Sequence, residues 1–432
     1  MRDVVLQSLI VLGSVAGLFA LMQGVQALGE RRGWTPEVRR KAIHIATGLF
    51  AIALPALVWE RWPVIALVAF GLVVLLALRL PGMSTSLGAA VHGVQRKSYG
   101  EIFLSLAVGF VFLRSEGQPI LYALPLAVIA LSDSAAALAG SAYGRKVFQV
   151  DDGTKSVEGV TVFFVVTWLV SMTMLLLMTD VPRVNVVVLS MSIAAFAAIV
   201  EMDSWNGLDN LFVPVAVHLI LQGLMGVDPW TLAFVSVLFF ACVAGFALAA
   251  GRIAMTPHAA RAYCVGVFML IGVSGAEAAL LPVATVLAHV YARLRRPCRS
   301  KRPDLDLLAS LAALSFSWLL MGEAIGPSAF HFYAMCYVGA IVAYAAILSD
   351  RNVAVIAPVA IGAILAHWQV VAYGPPEKAW HPDLLAFSTA SALLPALAVM
   401  RFPEWFDRYR APRVVAVSTL LPLATYLFMV TR

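Results

Sequence analysis

Charge is what this chain has least of. Only 12% of its 432 residues are Asp, Glu, Lys or Arg, and 61% are hydrophobic, whereas an ordinary soluble domain carries about 25% charge. A water-soluble globular fold is therefore excluded. Cysteine is scarce as well: Cys242, Cys264, Cys298 and Cys336 stand apart, without the paired spacing of a zinc site, and read as small core residues. A P-loop is also missing, because Gly153-Thr154-Lys155-Ser156 lacks the earlier glycine of a Walker loop. No internal repeat is visible. The first apolar run has no small-residue cleavage site before the arginines that follow, which marks it as a retained helix and not a signal peptide.

Apolar runs fill the space that charge leaves. Segments near the ~20 residues needed to cross a bilayer recur at 4–28, 42–59, 62–80, 119–142, 159–179, 230–253, 329–348, 352–373 and 412–430. Shorter runs at 100–114, 184–200, 211–225, 261–275, 277–292, 306–325 and 383–400 bring the expected total to about sixteen spans. Lipid offers the backbone no hydrogen-bond partners, so these runs must be helices. The expected fold is an all-α, polytopic transmembrane helical bundle. The runs at 100–114 and 211–225 are short enough to be tilted, broken or re-entrant.

Alternate loops of this arrangement collect most of the 30 basic residues, with clusters at Arg31–Lys41, Arg145–Lys155, Arg293–Arg302 and Arg401–Arg413. Loops retained in the cytoplasm carry such an excess. The basic face is thus expected to be cytoplasmic, and both termini to lie on the opposite side. The net charge of +6 is a topology signal that calls for no nucleic-acid partner. Two parts differ in character: 1–225 carries acids at membrane depth and polar glycine-containing clusters, while 226–432 is mostly apolar helices and short loops of unknown role.

An acid inside a span costs about 2.5–3.5 kcal/mol on insertion scales, so it marks a site by default. Asp133 sits within 119–142, flanked by Ser132, Ser134 and a run of alanines, about 16 Å along a helix from Gly144. Its small neighbours allow close approach of a second helix or a ligand. The alternative is a structural Asp held by neighbouring hydroxyls. The following loop joins Arg145 and Lys146 to Gly-Thr-Lys-Ser just as a new helix begins. It offers the cations, hydroxyls and backbone N–H groups that hold phosphates. Next, Glu201, Asp203 and Asp209 crowd together without a basic partner in sequence. They would repel one another unless a cation joined them, and Mg²⁺, which takes one or two carboxylates plus phosphate oxygens, meets that need. Finally, Arg39-Arg40-Lys41 leads to His44, one turn beyond Arg40 on the same helix side, and Arg96-Lys97-Ser98-Tyr99 leads to Gly100 and Glu101.

In order, Arg40-Lys41-x-x-His44, Ser98-Tyr99-Gly100-Glu101, Asp133-x-Ala135-Ala136 with Gly140, Gly144, Arg145 and Lys146, then Lys155-Ser156-x-Glu158-Gly159, Glu201, and Asp209-Asn210-x-x-x-Pro214 resemble the polyprenol and phytol kinase family. That family includes dolichol kinase, phytol and farnesol kinases and a CTP-dependent diacylglycerol kinase, and its Asp-Ala motif is similar to that of phosphatidate cytidylyltransferases. The resemblance covers about residues 30–225. It implies transfer of the terminal phosphoryl group of a nucleoside triphosphate, usually CTP, to a membrane lipid alcohol with Mg²⁺. Carried over, Asp133, Lys155, Glu201 and Asp209 are the expected catalytic residues, with Asp133 and Asp209 on the metal. Arg145, Lys146, Lys155, Ser156, Glu158, Gly159, Gly140 and Gly144 are expected at the nucleotide. Arg40, Lys41, His44, Lys97, Tyr99, Gly100, Glu101 and Asn210 are expected at the lipid substrate. This chain departs from the pattern at Ser132, Ser134 and Thr154, the last standing where a second lysine is common.

Two other functions use the same parts. In a cytidylyltransferase a phospholipid attacks the α-phosphate and pyrophosphate leaves. In an ion-coupled transporter Asp133, Glu201 and Asp209 would couple ions to substrate movement. The one-sided clustering of the polar residues speaks against transport, since alternating access uses paired elements in both halves.

Overall fold

The computed structural model describes residues 2–58, 60–77, 99–150, 153–204, 207–253, 255–274, 280–325, 329–372 and 384–431. Helices account for almost all of it, as the apolar runs require. Two compact units divide the chain, Met1–Leu238 and Phe239–Arg432. Among the described residues eight helices are long and apolar enough to cross a membrane, and Trp62–Ala77, Asp209–Leu224, Val353–Gln369 and Ala386–Arg401 are shorter apolar helices. Large apolar side chains on helix exteriors, such as Leu9, Leu12, Phe234 and Val237, are exposed, the inverse of a soluble surface.

The first unit contains α1 (Arg2–Arg31), α2 (Pro36–Leu57), α3 (Trp62–Ala77), α4 (Gly100–Arg114), α5 (Pro119–Tyr143), α6 (Val157–Met178), α7 (Arg183–Asp203) and α8 (Asp209–Leu224). The helix Pro229–Ala249 (α9) follows. Central in the unit is α5, buried over most of its length and packed against α2, α4, α6 and α8, while α7 lies against α6 and α8. Both short runs flagged in the sequence, 100–114 and 211–225, form helices, and α8 has Pro214 inside it.

Two other internal prolines fix how α5 is held. A proline has no N–H for the carbonyl four residues back, and in a membrane that carbonyl needs another donor. Pro55 in α2 releases the carbonyl of Ala51, and the Tyr122 hydroxyl of α5 donates to it at 2.6 Å. Pro125 in α5 releases the carbonyl of Leu121, and Nδ1 of His218 in α8 reaches it at 2.9 Å. A carbonyl can only accept, so His218 carries its proton on Nδ1. Each break in the ladder becomes a tie between helices.

Other sequence signals act locally. Thr35 caps α2, its side chain accepting from the Val38 N–H at 3.3 Å, with Pro36 at the first turn and Glu37 near the positive helix end. Outside the helices, Val147–Val150 (β1) and Gly153–Ser156 (β2) form an antiparallel hairpin pairing Phe148 with Lys155. Helix periodicity alone gives no sign of this hairpin.

The second unit holds α10 (Pro257–Ser274), α11 (Leu280–Arg295), α12 (Pro303–Ile325), α13 (Phe330–Leu348), α14 (Val353–Ala372), α15 (Leu384–Arg401) and α16 (Arg410–Val430). Here α13 is central, packed against α11, α14, α15 and α16. The sequence suggests plain apolar helices, but a buried polar cluster joins four of them. Asp304 Oδ1 accepts from the Tyr263 hydroxyl at 3.1 Å and pairs with Arg293 Nε at 3.0 Å, and His289 Nδ1 lies 3.1 Å from the Tyr344 hydroxyl.

Candidate functional site

The site is built around a break in α5. Residues Val128–Ser132 form a π-turn, and Asp133 follows it at once. Such turns insert an extra residue into the ladder and are frequent at functional sites. Helix α2 lies close alongside, because a Cβ at Gly48 would come within 2.5 Å of the Ala130 Cβ. From α2, Lys41 Nζ donates to Asp133 Oδ2 at 2.6 Å, with Lys41 only 3% exposed. His44, one turn further, places Nε2 3.2 Å from the Ile129 carbonyl inside the π-turn and 3.5 Å from Asp133 Oδ2. Both neighbours are acceptors, so the proton sits on Nε2.

On its other side the site is set by glycine packing. A Cβ at Gly140 would meet Ser156 Oγ at 3.0 Å, and one at Gly159 would meet the same atom at 3.0 Å and the Ala136 carbonyl at 3.1 Å. The end of α5 and the start of α6 therefore cross nearly backbone to backbone. Ser156 caps α6, accepting from the Gly159 N–H at 3.1 Å, and Glu158 accepts from the Lys146 N–H at 3.2 Å. This lock holds the hairpin so that Lys155 reaches the end of α7, where Nζ donates to Glu201 Oε1 at 2.7 Å and also to the Glu201 carbonyl. Gly207, in the left-handed region at φ +85°, turns the chain from α7 into α8, and Asp209 occupies the first turn of α8.

Three carboxylates converge as a result. Ligand oxygens of Asp133, Glu201 and Asp209 all lie within 4.8 Å of one another, with Asp133 and Glu201 buried. Around one octahedral Mg²⁺ at ~2.1 Å per bond, adjacent ligand oxygens stand about 3.0 Å apart and opposite ones about 4.2 Å, so these oxygens would have to draw together to share one ion, and their all-oxygen chemistry is the kind that ion takes. Three carboxylates face two ammonium groups, which leaves an excess of negative charge. Burial pushes the Lys155 pKa down, but the Glu201 and Asp209 carboxylates outweigh it and hold the ammonium above the ordinary lysine value, so it stays charged at neutral pH.

Several expectations change in detail. Glu201 does have a basic partner, Lys155, which chain separation hides in the sequence. Asp133 is held by Lys41 and His44 and not by neighbouring hydroxyls, since the Ser132 and Ser134 hydroxyls are buried without hydrogen-bond partners. It is Lys41, not Arg40, that shares the Asp133 side with His44; Arg40 turns to Glu37 at 2.7 Å on the exposed face, within electrostatic reach of Asp133 and Asp209. Gly140, Gly144 and Gly159 are packing positions between α5, α6 and β2. Arg145 and Lys146 are exposed on the hairpin side. Tyr99 stands before α4, whose first residues are the buried Gly100 and the half-buried Glu101, and Asn210 lies in the first turn of α8. Lys97 lies outside the described residues. Sequence reasoning missed the π-turn and the Lys41–Asp133 pair; the clustering of Lys41 and His44 at a three-residue spacing was the only signal for the latter.

A 188-residue stretch is 34% identical to the phytol kinase of Synechocystis sp., spanning 43% of this chain and 78% of that protein. The chain belongs to the phytol kinase family. No family model matches it, and no solved structure matches it. This phytol kinase family member carries its ionisable cluster on helices of a multi-pass membrane fold, with the carboxylate triad spread over α5, α7 and α8.

Proposed function

We propose that this protein is a lipid-alcohol kinase that transfers the terminal phosphoryl group of CTP to the hydroxyl of a membrane isoprenoid alcohol such as phytol. Family membership supports the reaction class. The observation that carries the reading is the pair of Lys–carboxylate contacts, the buried Lys41–Asp133 and the half-buried Lys155–Glu201, around one oxygen cluster. Phosphoryl transfer asks a protein mainly to position the reactants and neutralise charge, and these are the groups for that task.

The alcohol oxygen attacks the γ-phosphorus, the bond from that phosphorus to the β–γ bridging oxygen breaks, and CDP leaves with the electron pair. Asp133 or Glu201 accepts the alcohol proton. Mg²⁺ held by Asp133 and Asp209 would supply positive charge to the phosphate oxygens. Lys41, paired with Asp133, and Lys155, paired with Glu201, stand beside this cluster as the ammonium groups that meet phosphate oxygens. Arg145 and Lys146, exposed beside the hairpin, meet the nucleotide from water, and the hairpin and its Ser156 cap hold Lys155 in place. The lipid enters sideways from the bilayer along α2 and α4. Burial of the acids matches a hydroxyl delivered at membrane depth.

The test mixes purified protein, Mg²⁺ and CTP labelled at the α- or γ-phosphate with phytol, farnesol, a polyprenol or phosphatidate. The expected product is an isoprenyl phosphate carrying γ-label, with CDP released and ATP a weaker donor. Appearance of α-label on phosphatidate with pyrophosphate released would assign the chain to cytidylyl transfer instead. Label on no lipid, with solute uptake into vesicles, would assign it to transport.

A further inference from the structure

The second unit holds a cavity of about 120 Å³ that nothing in the proposed reaction uses. It lies where α11, α13 and α15 end and α16 begins, and Arg296, Asp350, Arg351, Phe406, Asp407 and Arg410 line it. Arg410, the first residue of α16, is only 4% exposed. Its Nη1 donates to the Arg296 carbonyl at 2.5 Å and its Nε to the Phe406 carbonyl at 3.4 Å. Among the described residues no carboxylate pairs with Arg410 or with the exposed Arg351, while Arg296 pairs with Asp350. With Asp407 counted, the wall keeps a net positive charge and contains a buried guanidinium that no anion neutralises. A buried charge in that condition is costly unless a counter-charge joins it.

The wall is built, not a chance gap between loops. Pro403–Asp407 forms a 3₁₀ turn pinned across the end of α11: Arg299 N donates to the Asp407 carbonyl at 2.6 Å, and Tyr409 N to Ser300 Oγ at 2.8 Å. Arg413 donates to the Trp405 carbonyl and lies 4.7 Å from the centre of the Trp405 ring. Four non-glycine residues among those described adopt left-handed backbone, and three of them, Asp350, Arg351 and Tyr409, belong to or adjoin this wall. Strain of this kind collects where a structure must present groups to a ligand.

We infer that this cavity binds a phosphate group, with Arg351, Arg410 and Arg296 as its donors. Guanidinium forks match phosphate oxygens two at a time, and basic pockets between membrane helices take lipid phosphates. The same chemistry would come from a phospholipid headgroup or from free phosphate. Native mass spectrometry of the full-length protein in detergent, titrated with dioleoyl phosphatidate, with phosphatidylcholine, and with inorganic phosphate, separates the sources. Retention of phosphatidate over phosphatidylcholine is expected if the source is a headgroup; heat protection by millimolar inorganic phosphate without lipid retention is expected if it is the free ion.

In either case Arg351→Ala, at an exposed position, should weaken binding about tenfold, the loss of one charge-assisted contact, and Arg296→Gln should weaken it similarly. Lys155→Ala, which disables the first unit's proposed phosphate contact, should leave this binding unchanged. Affinity within twofold of the parent in both arginine variants, or loss in Lys155→Ala alone, would overturn the inference.

Discussion

Asp133 and Lys41 face each other 92 positions apart in the chain at 2.6 Å, both almost fully buried. Neither is tolerable there alone. Removing one partner of such a pair leaves an uncompensated charge and costs about 3–5 kcal/mol, while replacing both by apolar residues of similar size is often neutral. Lys41→Ala should therefore lower stability in detergent by about 3–5 kcal/mol, read as a drop in thermal midpoint. The double variant Lys41→Met with Asp133→Leu should recover most of that stability and remain without kinase activity. A double variant as unstable as Lys41→Ala would mean that the pair is not what holds α2 to α5. Asp133→Asn is the complementary test: it keeps shape and an acceptor for Lys41 but leaves that ammonium without its counter-charge, so it should lose stability as Lys41→Ala does, and the protein that remains folded should phosphorylate no lipid. Asp133 was legible in the sequence because an acid among apolar residues contradicts its surroundings. Its partner was not, because Lys41 sits in a run of Arg and Lys that membrane topology explains equally well.

The elements that hold these residues follow from glycine and proline chemistry more than from hydropathy. Helices were legible from run length, since lipid leaves no other structure. The crossing of α5 and α6 was not, because Gly140, Gly144 and Gly159 carry no sign of whether they meet a ligand or another backbone. The structure answers through space: a Cβ at Gly144 would collide with the Gly140 carbonyl oxygen and approach Ser156 Cβ to 2.9 Å. Gly144→Ala should thus push the hairpin away from α5, lose about 1–3 kcal/mol of stability, the range for overpacked sites, and carry Lys155 away from Glu201. Gly71→Ala in α3 is the control, since nothing lies within 4 Å of its Cβ; there the better helix propensity of alanine should be neutral or stabilise by up to about 1 kcal/mol. Equal losses in both, measured by thermal unfolding and lipid phosphorylation together, would remove the packing role. The two proline ties argue in the same way. Pro55 and Pro125 look like helix breakers in sequence, and only the positions of Tyr122 and His218 show the released carbonyls being taken up.

At the scale of the whole molecule, charge asymmetry is the ground for the expected orientation, in which the basic face meets the nucleotide. Arg145 and Lys146 beside the hairpin and the cluster Arg293–Arg302 fall in the loops that the basic excess assigns to the cytoplasm, whereas the short connection carrying Glu116 falls on the other side. A kinase drawing on a cytoplasmic nucleotide needs its phosphate-facing lysine on the first of these faces. Thiol labelling tests this in intact cells or sealed right-side-out vesicles, with Cys242, Cys264 and Cys336 replaced by alanine so that only half-buried Cys298 and introduced sites can react. Lys146→Cys and Glu116→Cys occupy exposed positions, so reagent access and not burial decides the result. A membrane-impermeant maleimide should label Glu116→Cys from outside and leave Cys298 and Lys146→Cys untouched until the vesicles are opened. Labelling of Lys146→Cys and Glu116→Cys from the same side would break the alternation of spans between them, and with it the assignment of α5 as a full crossing. Labelling of both Lys146→Cys and Cys298 from outside, with Glu116→Cys protected, would keep the helices and reverse the molecule, placing the carboxylate triad where cytoplasmic CTP cannot reach it.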